Sequence, residues 1–182
     1  MRVRIIAGKY GSLLINTPKG HVTHPMGDRI KSSMFNSLGD KIQDALVLDA
    51  FAGSGALGLE ALSRGAKHTT FVDRDNSAVE VLKSNIELLK CNDDTQVIKS
   101  GLATWANDYK GKFDIIFADP PYDNLQLSTV TRLFKLLNSN GLMVLSYPGR
   151  GEAPSGTNGV VVVDNRSYGT AALAFYRMET AN

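Results

Sequence analysis

Four consecutive residues, Asp119-Pro120-Pro121-Tyr122, combine groups that suit the recognition of a planar amine. The two prolines fix the backbone and remove two amide donors, so the turn presents carbonyl oxygens, a carboxylate and an aromatic ring. The Asp119 carboxylate and the Pro120 carbonyl can accept hydrogen bonds from an exocyclic NH₂, while the Tyr122 ring can stack on the attached base. The alternative interpretation is a proline-rich turn that only caps a strand.

A glycine-rich segment, Asp49–Gly58, lies earlier in the chain and spells GxGxxG at Gly53, Gly55 and Gly58. Glycines in this spacing between a strand and a helix let a ligand approach the amides at the helix start. Asp73 ends the next predicted strand, where a carboxylate can accept hydrogen bonds from a ribose diol. The pattern predicts a cofactor that contains adenosine.

Asp49 decides which adenosine cofactor the loop favours. A carboxylate beside the loop repels the pyrophosphate of NAD and attracts the cationic amino group of a methionine moiety, which favours S-adenosylmethionine. The alternative is a structural carboxylate that accepts hydrogen bonds from loop amides. The predicted cofactor contacts are Asp49, Phe51, Gly53, Gly55, Asp73, Arg74 and Leu102.

Charge is distributed unevenly along the chain. The net charge is +2, from 20 Lys and Arg against 18 Asp and Glu, but residues 1–43 hold seven of the basic residues and only two acidic ones. A basic segment ahead of a slightly acidic body indicates polyanion binding, although ordinary surface lysines would give the same count. The predicted substrate contacts are Arg2, Arg4, Lys9, His24, Arg29 and Pro121.

Hydrophobic periodicity predicts the elements that position these residues. From residue 45 onward strands alternate with helices, which is typical of a doubly wound parallel α/β sheet, and the last two strands follow one another as an antiparallel pair. Residues 1–43 are predicted to form a hairpin and a helix capped by Asp28, ahead of a catalytic domain over 44–182. The predicted strands are 2–7, 12–15, 45–50, 68–72, 95–99, 113–118, 141–147, 160–164 and 170–177, and the helices are 29–38, 56–64, 77–90, 103–109 and 128–137.

Several classes of protein are disfavoured by composition. The single cysteine, Cys91, excludes an internal disulfide, and the three histidines lack metal-ligand spacing, so we expect no metal. No apolar run approaches the roughly 20 residues of a membrane span, and the first residues do not resemble a signal peptide. We therefore expect a cytoplasmic, monomeric protein that does not bind membranes.

Four segments, taken with the Asp-Pro-Pro-Tyr turn, resemble the RsmD-like family of small-subunit ribosomal RNA guanine-N2 methyltransferases. They are Arg4–Gly8, the helix Asp28–Leu38 preceded by Pro25, Asp49–Ala66, and Tyr168–Tyr176. The resemblance implies a Rossmann-like class I methyltransferase with a seven-stranded, mostly parallel sheet and a small N-terminal extension. It also implies S-adenosylmethionine as cofactor and, as substrate, a guanine amine of 16S-type rRNA within an assembled or partly assembled small subunit.

Three positions depart from the family pattern. The chain has His24-Pro25-Met26 where the family has Arg-Pro-Thr, Gly101 where relatives carry Asn or Asp, and Ser146-Tyr147 where an acid is expected. DNA adenine methylation, protein-glutamine methylation and a non-enzymatic role in rRNA assembly stay open as alternatives.

Overall fold

The computed structural model describes residues 1–19 and 26–179, which form nine strands and five α-helices. The predicted contact His24 and the neighbouring Pro25 lie outside these residues. The elements are β1 Arg2–Arg4, β2 Leu14–Asn16, α1 Asp28–Leu38, β3 Leu46–Asp49, α2 Ala56–Ser63, β4 His68–Asp73, α3 Asn76–Leu89, β5 Thr95–Lys99, α4 Leu102–Asp108, β6 Phe113–Ala118, α5 Leu127–Arg132, β7 Leu137–Pro148, β8 Val160–Ser167 and β9 Ala171–Met178.

Seven strands form one sheet in the order β5-β4-β3-β6-β7-β9-β8. The five strands from β5 to β7 pair in parallel, and β9 lies antiparallel between β7 and β8. This is the predicted seven-stranded, mostly parallel sheet with a C-terminal antiparallel pair. Chain order reverses between β3 and β6, so a crevice opens there at the carboxyl ends of the strands, where such sheets bind ligands.

The N-terminal segment packs into the same core as the sheet. Ile5 and Ile15 are fully buried in a cluster with Leu59 and Leu82 of α2 and α3. Strand β1 ends at Arg4, earlier than the predicted residue 7, and the amides of Ile6 and Ala7 donate to the Glu60 carboxylate rather than to a partner strand. The hairpin is thus held to the body of the protein by burial and by hydrogen bonds.

Further predicted boundaries are wrong. Asp28 is not the N-cap of α1: it is the first helical residue, and Gly27 precedes it without a side-chain cap. The helix predicted over 128–137 ends at Arg132, and a 3₁₀ turn, Leu133–Leu136, leads into β7, which begins at residue 137 instead of 141. Asn140 takes a left-handed conformation, with φ of 60°, inside this longer strand, which obscured its start in the sequence pattern.

Gly58 is needed for close contact between α2 and β4. A Cβ atom there would lie 2.3 Å from Cε1 of Phe71 and 2.8 Å from Cγ2 of Thr69. We expect Gly58→Ala to lower the free energy of unfolding by about 1–3 kcal/mol, because overpacking a buried contact outweighs the better helix propensity of alanine. Urea unfolding measures the change. Gly27→Ser is the control, because a Cβ at Gly27 meets nothing within 4 Å, and an equal loss in both variants would contradict the packing argument.

Candidate active site

The carboxyl ends of three neighbouring strands bring three aspartates together. Asp49 ends β3, Asp73 ends β4, and Asp119 follows β6 directly. The parallel register pairs Asp49 with Phe71 of β4 and with Phe117 of β6, so the three side chains meet at one edge of the sheet. The negative charges of Asp119 and Asp73 both raise the pKa of Asp49, which reflects their proximity.

Asp49 is buried, with 1% of its surface exposed, and its Oδ2 accepts a hydrogen bond of 2.9 Å from the amide of Gly58. Burial is the main reason that its pKa rises to about 8, and the Gly58 amide opposes this rise. Asp49 therefore accepts a hydrogen bond from a loop amide, as the alternative interpretation of a structural carboxylate predicted. It also has a high pKa that a nearby positive charge would lower.

The glycine loop has the backbone that its sequence predicts. Gly53 and Gly55 have φ of 53° and 81°, in the left-handed region that favours glycine. Oδ2 of Asp73 accepts a hydrogen bond of 2.8 Å from the Gly53 amide, and Oδ1 accepts one of 2.9 Å from the Asp75 amide. Each carboxylate oxygen has a second lone pair, so Asp73 can fix the loop and still accept hydrogen bonds from two ribose hydroxyls.

The Asp-Pro-Pro-Tyr turn lies beside this loop and presents two functional groups. Asp119 is partly exposed, yet burial raises its pKa to about 6, while hydrogen bonding from the Ser146 side chain lowers it. Pro120 is buried, and the Tyr122 ring is 41% exposed. Oη of Tyr122 lies 2.7 Å from Oγ of Ser146. The turn therefore offers a carboxylate and an accessible aromatic ring on the same side of the crevice.

The other predicted contacts fall into two groups. Leu102 is the buried first residue of α4, and Phe51 is a partly buried residue of the loop after β3; both pack against the core cluster that includes Ala50 and Val72. The remaining side chains are at the surface: Arg74, Arg2, Arg4, Lys9 and Arg29 are exposed, and Pro121 is partly exposed.

Sequence reasoning missed Ser146 as a member of this site. In the sequence it stands out only as part of a departure from the expected acid, and no spacing links it to the turn at 119–122. The parallel register supplies the link, because Ala118 pairs with Leu145 and the next residues along both strands are Asp119 and Ser146.

Residues 3–177 match a family model described as "Conserved hypothetical protein 95". The chain belongs to this family. Among its relatives, "Putative rRNA methyltransferase YlbH" of Bacillus subtilis is 34% identical over 182 residues, which cover 96% of this chain and 98% of that relative. "Ribosomal RNA small subunit methyltransferase D" of Haemophilus influenzae is 39% identical over 123 residues, which cover 66% of this chain and 64% of that one.

Two solved structures have the same fold as this chain. "Putative methyltransferase yhhF from Escherichia coli" superposes with a TM-score of 0.89 at 29% identity and covers 100% of both chains. The "putative methylase HI0767 from Haemophilus influenzae" superposes with a TM-score of 0.82 at 30% identity and covers 99% of this chain and 100% of that one. The predicted RsmD-like family and Rossmann-like class I fold are confirmed. The chain is a methyltransferase whose cofactor is S-adenosylmethionine, as the glycine loop and the resemblance predicted.

Across residues 1–19 and 26–179, the structure contains no helix both long and apolar enough to cross a membrane.

Proposed function

We propose that the chain transfers a methyl group from S-adenosylmethionine to the exocyclic amine of a guanine in small-subunit ribosomal RNA. One observation carries the proposal: the Asp-Pro-Pro-Tyr turn follows the strand beside Asp49 at the point where strand order reverses, and Asp73 ends the strand on the other side of Asp49. A site for an amine and a site for an adenosyl cofactor are therefore adjacent. The names of the relatives, which include small-subunit rRNA methyltransferases, support this acceptor over DNA or protein.

The residues around the glycine loop fit the cofactor. When bound, S-adenosylmethionine supplies a methyl group already activated on a positively charged sulfur. Asp49 attracts the cationic methionine end, and Asp73 accepts hydrogen bonds from the ribose hydroxyls. In this proposal the loop at Gly53 and Gly55 borders the cofactor, with open space at Gly53, while Phe51 and Leu102 flank the adenine and the exposed Arg74 borders the ribose.

The turn after β6 holds the acceptor base. Asp119 and the Pro120 carbonyl accept hydrogen bonds from the amine. These bonds orient its nitrogen lone pair toward the methyl group, and most of the rate enhancement comes from this orientation. The Tyr122 ring stacks on the base, which must leave its helix at a cost of a few kcal/mol. With a pKa of about 6, Asp119 is ionised at neutral pH and can take up the proton that the amine releases.

Residues 1–43 serve in this proposal as an RNA-binding extension of the catalytic part, 44–182. Exposed Arg2, Arg4, Lys9 and Arg29 are available for phosphate contacts, and Pro121 borders the flipped base. The contact predicted for His24 stays a prediction. An rRNA substrate implies action in the cytoplasm on the small subunit or its precursor, and the monomeric state also stays a prediction.

The function is tested by mapping the methylated nucleotides of rRNA by mass spectrometry in a strain that lacks this protein. We expect one methylguanosine to be missing and to return when the purified protein and S-adenosylmethionine are added to the isolated small subunit. Naked rRNA, duplex DNA and a glutamine-containing peptide serve as competing acceptors. A complete set of methylguanosines in the deletion strain, or transfer only to DNA or peptide, would overturn the proposal.

Cofactor affinity should increase with pH because of Asp49. In the cofactor-free protein its pKa is about 8, so the carboxyl is mostly protonated at pH 7. The positive charges of the cofactor favour the ionised form, so binding lowers this pKa and releases a proton. The dissociation constant should fall several-fold from pH 6 to 8, with a limit of about tenfold per pH unit for one released proton.

Titration calorimetry in buffers of different ionisation enthalpy measures this proton release directly. Asp49→Asn is the matched control, because it keeps the shape of the side chain and removes the titration. Binding that is independent of pH in the wild type, or proton release that persists in Asp49→Asn, would contradict the role of Asp49.

A further inference from the structure

We propose that Ser146 is a positioning residue that joins Tyr122 to Asp119 in one hydrogen-bonded chain, so that the stacking ring and the accepting carboxylate are held as a unit. The inference rests on the proposed function of the Asp-Pro-Pro-Tyr turn and adds a residue from β7 to it. Ser146 is 3% exposed, its Oγ lies 2.7 Å from Oη of Tyr122, and the strand register places it beside Asp119.

The number of protons available to these three side chains determines which group donates and which accepts each hydrogen bond. A serine hydroxyl has one proton to donate and two lone pairs, and a carboxylate can only accept. Ser146 lies beside Asp119 in the strand register, so in this proposal its hydroxyl donates a hydrogen bond to the carboxylate, in keeping with the lowering effect of Ser146 on the pKa of Asp119. The contact with Tyr122 must then run the other way, with the tyrosine O–H donating to Oγ of Ser146.

The hydrogen-bonded chain from Tyr122 to Asp119 explains how an exposed ring can be held in place. Tyr122 follows two prolines on a surface turn, and 41% of its surface is exposed, so packing on its own restrains the ring weakly. A hydrogen bond to a buried hydroxyl on a central strand fixes the far end of the ring. An ionised carboxylate at position 146 would repel Asp119 and could not donate to it.

Other ionisable groups also act around Asp119. Asp49 of β3 is close enough that the Asp119 charge raises its pKa, and Asp73 of β4 acts on Asp49 in the same way. Tyr122 is the second ionisable group of the turn, and its own pKa is raised mainly by burial, with the Ser146 side chain opposing the rise and Asp119 adding to it. Ser146 differs from all three because in this proposal it stabilises the ionised form of Asp119 by donating a hydrogen bond to it.

The experiment measures the pKa of Asp119 by ¹³C NMR of the aspartate carboxyl carbons, with the resonance assigned by its loss in Asp119→Asn. We expect Ser146→Ala to raise this pKa by roughly 0.5–1 unit, since one hydrogen bond to the ionised form is lost. Ser146→Thr keeps the hydroxyl and should restore the wild-type value. Tyr122→Phe should move the pKa less, because the bond from Ser146 to Asp119 remains.

Methyl transfer to the small subunit gives a second measurement. Ser146→Ala should lower kcat roughly fivefold, leave the KM for the cofactor unchanged and move the acid limb of the kcat profile to higher pH. The double variant Ser146→Ala/Tyr122→Phe should lose less activity than the product of the two single losses, because both substitutions interrupt the same set of hydrogen bonds. Ser33→Ala is the matched control: it breaks a hydroxyl pair with Tyr168 of the same 2.7 Å length outside the site, and should not move the acid limb.

The outcomes separate this inference from the proposed function. An Asp119 pKa that does not move in Ser146→Ala, in a variant whose thermal unfolding shows it to be folded, overturns the role of Ser146 while methyl transfer by the wild type stands. If the wild type transfers no methyl group to rRNA, the proposed function fails. The change in the Asp119 pKa then decides, without any activity measurement, whether Ser146 links Tyr122 to Asp119.

Discussion

Replacing Asp119 with alanine is expected to lower kcat for methyl transfer by roughly 10²–10³-fold and to change the affinity for S-adenosylmethionine by less than about threefold. In the proposed site this carboxylate contacts the acceptor, so its loss should remove an interaction with the reacting amine and leave the proposed cofactor contacts of Asp49 and Asp73 in place. Asp119→Asn keeps one carbonyl acceptor and should retain more activity than the alanine variant.

The measurement is single-turnover transfer of radiolabelled methyl groups to the small subunit, with calorimetry for cofactor binding. Asp123→Ala is the matched control, because this carboxylate lies in the same segment and is exposed to solvent. Its activity should stay within about twofold of the wild type, since surface substitutions outside special features have small effects. Full activity in Asp119→Ala, or an equal loss in Asp123→Ala, would show that the reacting amine is held elsewhere.

The pH dependence of methyl transfer tests the same role of Asp119. Burial raises the pKa of Asp119 to about 6, and the ionised form is the one that accepts hydrogen bonds from the amine. Activity should therefore fall as pH drops through about 6 in the wild type, and this limb should be absent from the residual activity of Asp119→Asn. A wild-type profile that stays flat from pH 7 to 5 would contradict a role for the ionised carboxyl.

Sequence reasoning predicted the parts of the candidate site that depend on local spacing. The glycine loop, Asp73 and the turn at 119–122 each follow a strand, and a strand that ends in a functional residue is visible in the hydrophobic pattern. Ser146 could not be found in this way, because its role depends on which strand lies beside β6 and in which register. The early start of β7 was missed for a similar reason, since a left-handed residue within a strand breaks the pattern without ending the strand.

The N-terminal segment is a second place where the sequence pattern could not reveal a long-range contact. Its basic residues suggested an RNA-binding extension, and counting charges treats them as equivalent. Lys31 is nevertheless buried in α1, where its Nζ donates to the carbonyl of Arg4 and lies 3.4 Å from the Glu60 carboxylate. Glu60 appears in the sequence as one polar residue of α2, with nothing to mark it as the partner of a lysine from another helix. The charge of Lys31 thus serves to attach the N-terminal segment and is not available to a ligand.

Glu60 makes four interactions from a fully buried position on α2. Its carboxylate accepts hydrogen bonds of 2.8 Å and 3.1 Å from the amides of Ile6 and Ala7. It also pairs with Lys31 and, at 2.8 Å, with Arg64 one turn further along the same helix. A buried charge with this many partners stabilises the fold mainly because each partner would be left unsatisfied without it.

Glu60→Gln is therefore expected to lower the free energy of unfolding by about 3–5 kcal/mol, because it keeps the size of the side chain but leaves the buried ammonium of Lys31 without a counter-charge. Hydrogen exchange should locate the damage at the amides of Ile6 and Ala7, which lose a charged acceptor. Glu80→Gln on α3 is the control, since its carboxylate is exposed and its one hydrogen bond, from Asn76, is a surface contact. If Glu60→Gln changed stability no more than Glu80→Gln and left both amides protected, the N-terminal segment would be held by the apolar packing of Ile5 and Ile15, with the carboxylate contributing little.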